Sequence, residues 1–359
     1  MDFTMQKKDT IVKAIRSSTI HHAQNAGRPC HTVTREYDLV HAVANIETLV
    51  STIRFSSDKL FTIRNHRERR GTYLDRNALG NLFLTSALTD FQEIKIHFPH
   101  HLTHPYYELF ANLVKEHDLK DLLRWVDSKS YDDKRNIWCD ILNNCVDEIR
   151  KVSNSAAFIV DLQDYLRSIN KNSRSLLKYL NALSNTHPRM YGIRLDLSYE
   201  HIEDWPFSIN KEPTIPADIK THWSTLLKFM KTELPNSCLC GFTWKLEHSL
   251  DRSLNYHLFV LIDATAVDYN NNIAQLIGEH WKKTAERKNG RYYNYNYLFD
   301  FKSAGIGMIN RENYYNKKLL EDVIIYMTKT EYFIKLKLPG TYRSFGKGNM
   351  PKKLAHPST

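Results

Sequence analysis

The sequence predicts an α+β chain: a mostly helical region over residues 1–185, an antiparallel sheet with flanking helices over 186–349, and a basic tail over 350–359. Three observations predict it. Apolar residues recur at helical spacing through the first half, with few Gly or Pro. The segment Asn185, Thr186, His187, Pro188 interrupts that pattern, because proline disfavours helix for the residue before it. From Ile193 the apolar period becomes two, which is the period of a half-buried strand.

In the first half, Leu39, Val43, Ile46, Leu49, Val50 and Ile53 mark one side of a helix over 37–55, and similar spacing predicts helices over 77–91, 106–123, 134–151 and 155–184. After the break, Ile193, Leu195, Leu197 and Tyr199 alternate with Arg194, Asp196 and Ser198 in a first strand. A loop holding Pro206, Pro213 and Pro216 leads to a helix over 217–234. Phe242, Trp244 and Leu246 then alternate with Thr243, Lys245 and Glu247, and a polar turn over 249–253 joins this strand to a strongly apolar one over 255–263, so the two form a hairpin. A helix over 271–288, a strand over 292–301 and a helix over 313–333 complete the order β, α, β, β, α, β, α. In the last helix Leu319, Leu320, Val323, Ile324 and Met327 form the buried side.

With 359 residues, 42% of them hydrophobic, the chain can bury a large core. Lys and Arg exceed Asp and Glu by 50 to 40, a net +10 that fits an acidic polymer as partner. The five cysteines (Cys30, Cys139, Cys145, Cys238, Cys240) are odd in number and lack CxxC spacing, so they read as reduced thiols of a cytoplasmic protein, with Cys238 and Cys240 structural. Residues 1–19 lack the apolar core of a signal peptide, and no apolar run approaches the roughly 18 residues of a membrane span. The expectation is a cytoplasmic protein with no membrane partner.

On the apolar strand Asn255 and His257 lie two apart and share a face, with Glu247 on the neighbouring strand. Paired as a hairpin, the three converge. One carboxylate, one imidazole and one amide oxygen suit Mg²⁺ or Mn²⁺ better than tetrahedral zinc. On the last helix Asp322, Tyr326 and Lys329 are spaced by four and three and so lie on one side. A phenol is a poor nucleophile at its ordinary pKa, and a nearby cation helps it react. Each residue alone has an ordinary structural reading; their order and spacing lift the functional one.

The successive segments Trp244-Lys-Leu-Glu247, Asn255-Tyr-His257-Leu-Phe-Val-Leu-Ile-Asp263 and Tyr326-Met-Thr-Lys329-Thr resemble the motifs of HUH-type replication initiators. Arg194-Leu-Asp-Leu-Ser198, the His257 motif, Tyr326-Met-Thr-Lys-Thr330 and Tyr342-Arg-Ser-Phe-Gly346 are similar to the inovirus gene-two-product family, also called the YagK/YfjJ C-terminal domain. The resemblance covers most of 189–349 and leaves the helical half unexplained. It implies an HUH/Rep-like sheet, an RRM-like or ferredoxin-like palm, and a nickase and strand transferase for rolling-circle replication of a phage or prophage-like element. By that analogy Glu247, His257 and Asn255 hold Mg²⁺ or Mn²⁺, Tyr326 is the nucleophile and Lys329 orients the phosphodiester. Its partners are then single-stranded or hairpin DNA at a replication origin, with host replication proteins as candidates. The departure is Asn255, which stands where the motif has its first histidine; His248 and His280 are candidate substitutes.

A segment over 287–297 interleaves Arg287, Lys288 and Arg291 with Tyr292, Tyr293, Tyr295 and Tyr297, a composition that stacks on bases and holds phosphates. Arg291, Tyr293 and Tyr295, together with Arg194, Arg343 and Lys347, are the candidate DNA contacts; Lys352 and Lys353 extend the basic tail. Arg67, Arg69, Arg70 and Arg76 form a denser cluster that a helix-turn-helix could use. The rival reading keeps the fold but loses cleavage, leaving a DNA-binding protein that regulates replication or recruits another factor. A purely structural scaffold leaves the ordered motifs without a role.

Overall fold

The computed structural model describes residues 8, 10–12, 20–25, 28–33, 35–65, 71–125, 134–199, 217–249, 253–265, 272–297, 306–337 and 342–351. It is a mixed α/β structure whose sheets are antiparallel. No helix among the described residues is long and apolar enough to cross a membrane.

The first half begins with a hairpin of β1 (Ile20–Asn25) and β2 (Arg28–Val33). Helix α1 (Arg35–Phe55) buries every apolar position that its spacing marked, from Leu39 to Ile53. A second hairpin, β3 (Phe61–Asn65) and β4 (Thr72–Arg76), stands where the arginine cluster suggested a helix-turn-helix. Arg76 ends β4 opposite Phe61; Arg67, Arg69 and Arg70 lie outside the described residues.

The helix expected over 77–91 is α2 (Ala78–Ala87), which stops four residues early, and a second helix, α3 (Phe91–His97), follows; capping side chains start each of them. Asn77 accepts the Gly80 N–H at 2.8 Å, and Asp90 accepts those of Gln92 and Glu93 at 3.0 Å. After β5 (His101–Thr103), the stretch expected as one helix divides into α4 (Pro105–Glu116) and α5 (Leu119–Trp125) at Asp118, whose φ of 48° no helix accommodates. Helix α6 (Arg135–Ser153) and the long α7 (Ala156–Thr186) follow, the latter capped by Ser155 on the Phe158 N–H. Helices α1, α2, α4 and α6 close one core, in which Phe83 meets Phe61 and Phe110 edge-on.

The second half is built on β6 (Arg189–Tyr199), α8 (Ala217–Thr232), β7 (Leu239–Ser249), β8 (Ser253–Asp263), α9 (Ile273–Thr284), β9 (Gly290–Asn294), β10 (Gly307–Asn310), α10 (Tyr314–Thr328), β11 (Ile334–Leu336) and β12 (Phe345–Lys347). The sheet runs β10-β6-β8-β7-β12, with β9 beside β10 on the same edge of β6. The expected β7–β8 hairpin is present, and β8 is central between β7 and β6.

Period two then decides the layers. Leu195, Leu197, Leu246, Tyr256, Leu258 and Val260 face α8 and α9 in a second core. Their alternates face the other way and change character along the strands: Phe259 and Leu261 are apolar and packed under α7 and α10, while Asn255 and His257 are polar. Helix α9 sits close because Gly278 has no side chain; a Cβ there would collide with the Tyr292 ring.

Two expected elements end differently. The strand expected over 292–301 starts at Gly290 and turns into a 3₁₀ helix at Tyr295–Tyr297; residues 298–301 are outside the described set. Helix α10 stops at Thr328, and a 3₁₀ turn (Thr330–Tyr332) leads into β11, which pairs with β5 of the first half. Tyr332, Phe333 and Ile334 thereby belong to the core of the helical half. Tyr332 also donates to Glu47 of α1 at 3.0 Å, and Glu47 meets Lys8 at 2.7 Å. Phe333 is fully buried, so Phe333→Ala should cost about 3–5 kcal/mol. Because this residue comes from the C-terminal half and packs in the N-terminal one, urea unfolding followed in both halves should shift together. A shift confined to signals from the sheet would show that the two cores unfold separately.

Candidate functional site

The polar end of the second sheet face is where the predicted residues meet. Glu247 pairs directly with Asn255, and His257 lies between Lys245 of β7 and Asp196 of β6, so all five side chains share one face. His257 is 1% exposed. Its Nε2 is 2.6 Å from Glu247 Oε2 and its Nδ1 is 2.7 Å from Asp196 Oδ1. Tyr326, from the last full turn of α10, brings its phenol oxygen to 2.7 Å from the same Nδ1, its ring standing edge-on to the imidazole.

Further charged and aromatic side chains surround this group. The Arg194 guanidinium lies between two rings, 3.9 Å from the Tyr295 centroid and 3.8 Å from that of Tyr326. Tyr295 donates to the other Asp196 oxygen at 2.7 Å. Lys245, 2% exposed, holds both the Glu247 carboxylate and the Thr330 hydroxyl. Burial alone would raise the Asp196 carboxyl, but the charge and hydrogen bond of His257, with Arg194 and Tyr295 behind them, hold it well below the usual carboxylate range. Glu331 next to Lys245 goes the other way, because burial outweighs the lysine and raises it.

Both ring nitrogens of His257 face carboxylate oxygens, a demand the ring meets when each nitrogen carries a proton. Arg194, Lys245 and His257 then outnumber Asp196 and Glu247, and with burial favouring the neutral form of Glu331 the pocket carries net positive charge. It opens to solvent beside Glu247, whose side chain is 24% exposed.

The donors also fit a divalent cation. Asn255 is buried, and its Oδ1 accepts no hydrogen bond from a described residue. An orphaned amide oxygen opposite a carboxylate, beside an imidazole whose far nitrogen is tied to a second carboxylate, is a donor set suited to Mg²⁺ or Mn²⁺. A cation bound there would replace the proton on His257 Nε2. Neither candidate substitute joins the set: His248 lies with the His100 and His101 rings at 6.4 and 6.3 Å, and His280 stacks on Phe229 at 3.9 Å.

Lys329 follows the helix end, and its Nζ donates to Asn170 of α7 at 2.9 Å. The cation touching Glu247 is instead Lys245, which the sequence offered two residues before Glu247 on the same face. Asp196 stood in the Arg194–Ser198 motif, but its place beside His257 comes from the β6–β8 register. Of the expected DNA contacts, Arg194 and Tyr295 lie in the interior of the site. Arg291 is exposed and Tyr293 half-buried on β9, opposite Ser198 and Asp196. Arg343 is on the other side of the sheet with Lys220, Trp244 and Tyr342, and Lys347 lies over the Tyr179 ring at 4.7 Å.

Residues 163–348, just over half of the chain, match the YagK/YfjJ C-terminal domain. The chain belongs to that family. The matched YagK/YfjJ region starts inside α7, takes in every site residue named above and ends just past β12. No curated protein and no solved structure matches the chain.

Two predictions follow from the site's electrostatics. Asp196→Asn leaves a buried imidazole facing an amide, and should cost about 3–5 kcal/mol in urea unfolding; unchanged stability would overturn the buried pair. Next to the site, burial pushes His101 down to about 3 and His248 down to about 4, with the charge of His248 a further cause for His101 and that of His100 for His248. The unfolded chain therefore binds more protons than the folded one between those values and the ordinary 6.5. Stability present above pH 6.5 should be lost as the pH falls toward 4, read as a falling urea midpoint.

Proposed function

We propose that this protein is a DNA-nicking and strand-transfer initiator of a phage or prophage-like element, acting on single-stranded or hairpin origin DNA. The observation that carries the reading is the meeting of Glu247, His257 and Tyr326, from three separate segments, around one imidazole in a positively charged pocket. A phosphodiester supplies the negative charge that such a pocket lacks. The single strand approaches along β9, where Arg291 holds phosphate and Tyr293 offers a ring beside Asp196.

Tyr326 attacks the scissile phosphorus, and its proton leaves to solvent. The P–O3′ bond breaks, the 3′ oxygen takes a proton from solvent, and the 5′ phosphate stays on Tyr326. Attack by a DNA 3′-hydroxyl reverses the link and restores the phenol. Arg194 holds the Tyr326 ring from behind and favours the phenolate by its charge. Glu247, His257 and Asn255 would hold Mg²⁺ or Mn²⁺, which when bound would supply Lewis acidity toward the phosphate oxygens. Lys245 keeps Glu247 in place, and Lys329, one turn beyond Tyr326, would reach the phosphodiester by exchanging its Asn170 contact.

One observation favours the non-cleaving reading: Tyr326 is 7% exposed and Lys245 already occupies one Glu247 oxygen. A site permanently in this state would bind DNA without cutting it. Labelled single-stranded origin DNA with Mn²⁺ or Mg²⁺, run on denaturing gels, separates the two. The nickase gives a covalent protein–DNA band with the wild type and none with Tyr326→Phe. Binding with no adduct across the origin segments would leave the non-cleaving reading.

A further inference from the structure

At the opposite end of the same sheet, three potential ligands that the proposed nicking chemistry does not use come together. His187 is the C-cap of α7, Cys240 lies on β7 and Asp263 ends β8. Their nitrogen, sulfur and carboxylate atoms all lie within 4.8 Å of one another, and each residue is half-buried. Since Asp263 is six residues beyond His257 on one strand, the cluster is roughly 20 Å from the imidazole at about 3.3 Å per residue.

The local structure aims these groups together. The β7–β8 register slips between Leu239 and Gly241, so Cys240 is the extra residue of a β-bulge, a device that re-aims a side chain. His187 has left the helix, with φ −122° and ψ 98°, while its N–H still closes the last turn on Leu183 at 2.7 Å. It therefore stands at the end of a 31-residue helix, where the carbonyl ends of the backbone favour positive charge. Asp263 is oriented by Thr265, whose N–H and hydroxyl donate to Oδ1 at 2.8 and 2.6 Å. Support of that kind around a ligating carboxylate is typical of metal centres.

We propose that His187, Cys240 and Asp263 form a zinc site that ties the end of α7 to β7 and β8. One sulfur, one nitrogen and one oxygen donor select a borderline cation such as Zn²⁺ over Mg²⁺ or Mn²⁺, and three protein ligands leave the fourth tetrahedral position to solvent. On binding, the Cys240 thiol gives its proton to solvent and coordinates as thiolate. The site clamps the junction at which the helical half passes into the sheet.

The test is Co²⁺ titration of the metal-free full-length protein. One equivalent should produce a sulfur-to-cobalt charge-transfer band and the visible bands of tetrahedral cobalt, both bleached by Zn²⁺. Cys240→Ser should lose the charge-transfer band, and His187→Gln, which leaves the sulfur in place, should weaken binding at least about tenfold. Glu247→Gln should leave the band unchanged, which separates this site from the one around His257. No charge-transfer band at one equivalent, or a band that survives in Cys240→Ser, would overturn the assignment.

Discussion

A charged imidazole held between two carboxylates, inside a protein, constrains everything packed around it. Moving an ion from water into the interior costs several kcal/mol even after relaxation, and the cost is recovered only when every hydrogen-bonding position is filled. The Asp196–His257–Glu247 chain meets that condition by recruiting its neighbours: Tyr295 takes the second Asp196 oxygen and Lys245 the second Glu247 oxygen. Arg194 is then fixed between Tyr295 and Tyr326. The position of Tyr326 is thus a consequence of satisfying buried charge as much as of helix packing.

The helical half has a part in this that its sequence does not announce. The 3₁₀ turn after α10 carries Thr330, which binds Lys245, and Tyr332, which binds Glu47 of α1. Tyr165 of α7 reaches the Glu331 carbonyl at 3.3 Å, and β11 continues onto β5. The segment that follows the tyrosine is therefore held by the first core, so the mostly helical region sets where α10 ends over the sheet. A lone sheet domain would leave Phe333 and Ile334 without their packing partners.

Legibility in the sequence followed periodicity. Long elements with many apolar positions, such as α1, α7, β6 and β8, could be read directly, and the face shared by Asn255 and His257 came from period two alone. Strands of three or four residues, such as β5, β10, β11 and β12, carry too little pattern to see, and their partners are distant in sequence. The end of α10 was hidden because Lys329 to Phe333 keep helix-compatible residues while tertiary contacts bend them into a 3₁₀ turn. Asp196 was visible as the polar half of an alternation and inside the Arg194–Ser198 motif; what makes it part of the site is that β6 lies next to β8, a fact of topology. Lys245 needed no topology, since it shares a face with Glu247 two residues away, but lysine on a strand reads by default as a solvated side chain.

Charge also makes sense of Asn255. Arg194, Lys245 and His257 already exceed Asp196 and Glu247, so a second imidazole opposite Glu247 would either add another buried cation or be forced to stay neutral. An amide at this position offers an oxygen donor with no charge of its own, and the orphaned Oδ1 is the acceptor a cation or a phosphate-bound donor would meet. It is a weaker ligand than imidazole, and in a pocket that is already positive the weakness is compounded. On the proposed nicking reading, cation affinity here would depend on the negative charge that arrives with the phosphodiester, which would couple metal binding to DNA binding rather than letting it precede it.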